Sequence, residues 1–189
     1  MRVSVFVASW EIECCWPPPA VGDSRDWVLS LVVGEAAVDG VRVWDGVVEP
    51  LGAAESGEGL EPAVLHLEEF DVFWRDCGGR RGPTQVSGRL FHDFHSSVST
   101  IVTPSVGTVR GVRVEDRGFV LGSDPAMGSA WYPTDEPAGY RPVDVSPKWF
   151  KRLGTDDATP LRDETGVLAD VEITTGGRRV SIDSARGPR

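Results

Sequence analysis

Apolar residues in this chain recur at every second position far more often than at every third or fourth, and Pro and Gly cut the pattern into short pieces. Period two places alternate side chains on opposite faces of an extended strand, whereas a helix needs recurrences at i, i+3 and i+4. The chain is therefore expected to fold as short strands with tight connections. Residues 2–12 set the pattern, with Val3, Val5 and Val7 on one side and Phe6, Trp10 and Ile12 on the other. Apolar residues on both faces predict a buried or central strand. Pro17, Pro18 and Pro19 end it, because three prolines supply no ladder donors.

Further strands are predicted over 27–33, 64–74, 86–94 and 97–102. Asp45-Gly46, flanked by 41–44 and 47–48, reads as a type I′ hairpin turn. Residues 106–114 and 119–121 are expected to pair across 115–118, where Gly118 can take a positive φ. A last hairpin is predicted from 166–173 and 178–182. Residues 122–141 show no clear period and divide a barrel-like core, 1–121, from a C-terminal extension, 122–189, packed on the same domain. Ser146 as cap, Pro147 at the first position and Gly154 beyond the end predict a short helix near 147–153. The expected fold is mainly β, a small barrel or sandwich of about nine short strands with one short helix.

At 189 residues and 40 % apolar, the chain suits one domain with a real core. No apolar run approaches the roughly 20 residues of a membrane-spanning helix. There are 17 Arg but 2 Lys, 27 Val but 4 Ile, and no Asn. The favoured residues have GC-rich codons, so abundant Arg is not in itself evidence of phosphate recognition. The net charge of −10 is uneven. Residues 45–76 hold nine acids and one Arg, residues 77–117 six Arg against three acids, and the last twelve residues four Arg against one Asp. Such a body repels nucleic acid and anionic membrane at long range.

Three cysteines, Cys14, Cys15 and Cys77, are an odd number with two adjacent, unlike the spaced even sets of disulfide frameworks. The first residues carry one positive charge and are followed at once by Glu11 and Glu13, which suits a strand better than a signal peptide. Reduced thiols and a cytoplasmic location are expected.

Four constellations could carry chemistry. Cys14 or Cys15, with Cys77, His92 and His95, could supply four ligands to zinc or iron if the chain bends between the histidines. A nucleophilic cysteine would need a base such as His92 and an orienting Asp93 or Asp71. Glu69 and Asp71 would share a strand face, where one carboxyl could hold a raised pKa. Arg80, Arg81, Arg89, Arg110 and Arg113 could add a positive edge to a barrel that stacks single-stranded nucleic acid on aromatics. No phosphate-binding glycine motif is present, and the seven Trp are expected to fill the core.

One combination is less generic: Trp10-x-x-x-Cys14-Cys15, then Val21-Gly22-Asp23, Trp27-x-Leu29, His92 and His95, and Gly107-x-Val109-x-x-Val112. It resembles an uncharacterised family of small proteins from high-GC Gram-positive bacteria, a domain of unknown function. The resemblance covers roughly residues 5–33 and 86–114. It implies a cytoplasmic bacterial protein and supplies no mechanism.

The leading expectation is a non-enzymatic binding protein, inhibitor- or immunity-like. Its acidic segment, with Glu55, Glu58, Glu61, Glu68 and Glu69, would contact a basic protein partner. Homo-oligomers are compatible with the two charge patches, and no nucleic acid, membrane or catalytic set is expected. No cofactor is expected under this reading. The rival is a small metalloprotein holding zinc or iron, and the third is a single-strand-binding barrel.

Overall fold

The clean alternation at the start becomes β1 (Arg2–Ala8), whose Val3, Val5 and Val7 are almost wholly buried. The computed structural model describes residues 1–34, 38–51, 60–93, 98–124, 128–153 and 161–177. After β1 come α1 (Ser9–Cys14), β2 (Ser24–Trp27), β3 (Leu29–Val33), β4 (Val41–Pro50), β5 (Ala63–His66), β6 (Asp71–Trp74) and β7 (Gly82–His92). Then follow α2 (Val98–Ile101), β8 (Ser105–Asp124), β9 (Gly128–Pro133), β10 (Gly139–Val143), β11 (Arg152–Leu153) and β12 (Leu161–Thr175).

Five strands close on themselves. β7 pairs antiparallel with β3 along one edge and with β4 along the other, β3 runs parallel to β6, and β6–β5–β4 is an antiparallel meander. Closure leaves this barrel without open ladder edges. β7 also begins a second sheet. Beyond Arg89, the last residue that meets β4, it pairs in parallel with β1 at Leu90 and Phe91. β1 lies against β12, and β12 against β8. The far edge of β8 takes β2, β10 and β9 in turn.

One apolar core serves both sheets, with β1, β12 and β8 supplying valines on one side and the barrel supplying Leu31, Trp44, Leu65 and Phe70 on the other. Each fully buried side chain of this size contributes roughly 1.5–3 kcal/mol. Two buried indoles keep their polar atoms satisfied: Trp44 Nε1 donates to Gly88 O at 2.9 Å and Trp27 Nε1 to Gly107 O at 3.4 Å.

The mainly β fold and its barrel agree with the sequence, but several local expectations change. The strand expected over 2–12 turns into a helix at Ser9, where Glu11 and Ile12 are buried together. Residues 64–74 form the hairpin β5–β6 rather than one strand. The segment from 98 to 101 is helical, and α2 covers a small cluster of Val28, Val64, Val98 and Val102. No helix forms near 147–153: Lys148 and Trp149 lie in a bend, and Arg152 and Leu153 pair with β12. That segment is held by outside contacts instead. Lys148 Nζ donates to Ile12 O, and the Phe150 N–H donates to Glu13 Oε1 at 3.1 Å.

Both expected internal turns are continuous strand. β4 runs through Asp45-Gly46, and β8 runs through residues 115–118. Neither Gly46 nor Gly118 has a positive φ. Residues 178–182, expected to close a hairpin, lie outside the described residues. The period-free stretch after 122 holds the end of β8 and all of β9.

Candidate functional site

Two adjacent apolar residues on each of two paired strands group four exposed apolar side chains together among the described residues. β12 pairs with β8 as far as Phe119; past that point, among the described residues, β8 pairs with β9 alone. The result is a two-stranded ribbon that extends beyond the sheet. Directly opposed residues share a face, so Val120 and Tyr132 occupy one face and Leu121 and Trp131 the other. All four are exposed, Leu121 at 55 % and Trp131 at 50 %. A two-stranded ribbon is marginal in water by itself, and a side chain at Gly122 would run into the Tyr132 ring at 2.7 Å. Asp135 and Glu136, directly after β9, are exposed and acidic.

The base of this ribbon rests on a buried ionic centre. Arg89 on β7 and Glu115 on β8 have no exposed surface, and Arg89 donates to Glu115 Oε2 at 2.5 Å. Tyr140 Oη donates to the same oxygen at 3.0 Å, while Arg117 Nε and Thr165 Oγ1 donate to Oε1 at 2.8 and 3.1 Å. Burial alone would raise the Glu115 pKa, but the hydrogen bond and charge of Arg89, helped by Arg117, hold it below the usual value. Tyr140 is pushed up to about 12 by burial and by the Glu115 carboxylate. The Arg89 guanidinium lies 4.3 Å from the Phe6 ring centre. A cavity of about 200 Å³ opens beside this centre, lined by Phe6, Phe91, Phe119 and Pro133. It is smaller than the roughly 300 Å³ at which drug-sized ligand sites begin. Four donors already occupy the carboxylate, so the arrangement works as a positioning centre for the strands.

A second charged set joins β4, β5 and β6. His66 Nδ1 and Asp71 Oδ1 are 2.9 Å apart, as are His66 Nε2 and Glu49 Oε2. Burial opposes charge on the imidazole, but the hydrogen bonds to Asp71 and then Glu49 outweigh it and raise its pKa above 6.5. Asp71, first read with Glu69 as a carboxylate pair, is instead paired with His66.

Cys14 and Cys15, expected as reduced thiols, are joined to each other in a disulfide, and both residues are exposed. Cys77 is buried between β6 and β7, where its Sγ donates to Arg80 O at 3.6 Å. His92 is buried with its Nδ1 3.8 Å from Glu11 Oε2, its ring 4.0 Å from that of Trp16 and edge-on to Trp27 at 5.7 Å. His95 lies outside the described residues. Among the described residues, no three His, Cys, Asp or Glu side chains come together as a metal-ion site.

The described acidic residues of this segment flank β5. Glu61 precedes the strand, Glu68 and Glu69 follow it, and all three are exposed. Glu69 accepts the amino group of Met1 at 2.9 Å. Glu55 and Glu58 lie outside the described residues. The arginines weighed for nucleic acid are mostly engaged within the chain. Arg89 is buried on Glu115, Arg110 pairs with Glu172, and Arg113 with Asp39 and Asp170. Arg80 lies over the Trp74 ring at 5.4 Å.

A family described as of unknown function (DUF6578) matches residues 1–173, thus spanning both sheets, the ribbon and the buried ionic centre. The chain belongs to that family. Its match takes in residues 49–62 and the ribbon past 122, which the short motifs around Cys14-Cys15 and His92 did not reach. No curated protein matches the chain, and no solved structure does. Among the described residues no helix is long and apolar enough to cross a membrane.

The ribbon is the feature that sequence reasoning missed. Its signal was the pair of apolar dipeptides, Val120-Leu121 and Trp131-Tyr132, separated by small residues. All seven Trp were assigned to the core, yet Trp10, Trp131 and Trp149 are exposed.

Proposed function

We propose that the protein is a non-catalytic binding protein that captures a basic protein partner through the β8–β9 ribbon, as an inhibitor- or immunity-like protein would. The observation that carries this reading is the exposure of apolar side chains on both faces of one projecting ribbon. Aromatic residues of this kind dominate binding energy when a partner buries them, and exposed apolar groupings mark interaction sites. The partner's sign follows from charge: a net of −10 disfavours a second copy and draws in a basic surface. Asp135 and Glu136, next to the ribbon, would meet its rim. The acids flanking β5 then contribute to long-range steering rather than to contact.

The test is capture from a lysate of the parent organism, with the wild-type chain and a Leu121→Ser/Trp131→Ser variant in parallel. A basic protein retained by the wild type and lost with the variant is expected, with retention falling as salt rises. Both positions are exposed, so the variant should keep its stability within about 0.5 kcal/mol. Equal capture by both chains, or a partner whose binding ignores salt, would remove the ribbon or the charge from the account.

A further inference from the structure

We propose that Cys14 and Cys15 form a thiol–disulfide exchange site, which accepts electrons from a dithiol reductant and returns them to a disulfide oxidant. The pair closes the C-terminal end of α1, the two residues are bonded to each other, and both are exposed. A disulfide stabilises a fold mainly by closing a loop of the unfolded chain, an effect that shrinks with loop length. A bond between sequence neighbours encloses no intervening residue, so it is nearly useless as a staple. Its place on the surface leaves a chemical role, since exposed disulfides are the ones that thiolates reach. The third cysteine does not compete: Cys77 is buried and engaged with Arg80 O. The exchanging thiol therefore comes from outside the chain.

The reaction balances with a dithiol alone. A reductant thiolate attacks one cysteine Sγ, the internal S–S bond breaks, and its electron pair leaves on the other Sγ, which takes a proton. The second reductant thiol, as its thiolate, then attacks the reductant sulfur of the mixed disulfide. The first cysteine leaves as a thiolate and is protonated, and the reductant departs as a disulfide. Two electrons have moved to the pair.

The surroundings give the exchange a readout. The Cys15 and Trp16 N–H groups both donate to Glu11 O, at 2.9 and 2.8 Å, and the Trp16 ring lies 4.0 Å from His92. Glu13 and Ile12, in the same short helix, hold the 148–150 segment. Opening the small ring that contains the Cys14–Cys15 peptide frees that peptide inside this knot of contacts. Trp16 fluorescence should follow the change.

The experiment uses the full chain purified in air. N-ethylmaleimide is added before and after dithiothreitol under native conditions, and the modified positions are mapped by peptide mass. Neither Cys14 nor Cys15 should be modified before the reductant, both should be modified after it, and Cys77 should react only once the protein is denatured. Glutathione disulfide should restore the internal bond in the reduced wild type and leave a glutathione adduct on Cys14 in Cys15→Ser. The proposal fails if both cysteines react before any reductant and again after glutathione disulfide. It also fails if the folded wild type resists dithiothreitol. These wild-type outcomes decide the matter even if Cys15→Ser does not fold.

Discussion

Glu115 accepts from four side chains drawn from β7, β8, β10 and β12, so one carboxylate ties both ends of the second sheet to the barrel wall. A buried pair of this kind is costly to break and cheap to replace as a unit. Glu115→Gln should lower stability by about 3–5 kcal/mol in urea unfolding, because Arg89 keeps a charge with no surface exposure. Arg89→Met combined with Glu115→Leu should lose less than either single change; additive losses would mean that the pair is not acting as a unit. The pH limb is set by the sign of the shift. A carboxyl held low when folded contributes fully above its unfolded value and loses that contribution as pH falls through the lower folded one. His66 behaves in the opposite way. Its pKa is raised, so its contribution is complete below about 6.5 and fades as pH rises through the folded value. The thermal midpoint of His66→Gln should therefore trail the wild type more in acid than in mild alkali. An equal gap across that range would show that the contacts to Asp71 and Glu49 carry no charge.

At the scale of elements, Gly46 shows where a sequence stops being readable. Asp45-Gly46 carries the signature of a tight turn, yet the chain continues straight and a Cβ at Gly46 would sit 2.6 Å from His66 O. The missing side chain leaves room for the His66 carbonyl and Leu65 of the neighbouring β5. Gly46→Ala should cost about 1–3 kcal/mol through overpacking, measured by thermal or urea unfolding; an unchanged midpoint would mean that β5 shifts freely. Gly118 repeats the case, with Thr134 Oγ1 at 2.6 Å from the Cβ position. Glycine serves either a positive φ or a missing side chain, and the atom that decides between them comes from a distant strand. The period-two pattern was legible because it depends on neighbours alone, and β1, β3 and β7 follow from it. The 147–153 helix failed for the same reason in reverse: its caps were present, but Lys148 and Phe150 found partners on α1. The ribbon escaped notice because exposure depends on where β12 ends, which no local pattern records.

Across the whole molecule, the two sheets meet in β7 and share one core, so the barrel and the β1–β12–β8 layer should unfold together. β12 is the strand on which this depends, lying between β1 and β8 from Gly166 to Glu172. A chain ending at residue 160 should show no cooperative transition and should aggregate through the freed edges of β1 and β8. A sharp, reversible melt from that fragment would show the barrel to be self-sufficient. The pairing of Arg2 with Glu172 has a consequence for synthesis. During synthesis β1 finds β7 only after Leu90 has emerged, and its long antiparallel partner only after β12 has followed. Until then Val3, Val5 and Val7 form a bare apolar template, and the growing chain must be kept from its neighbours on the polysome. The organism that makes this protein is thus expected to shelter the nascent β1, and slower elongation between β7 and β12 should lengthen that exposure and lower the soluble yield.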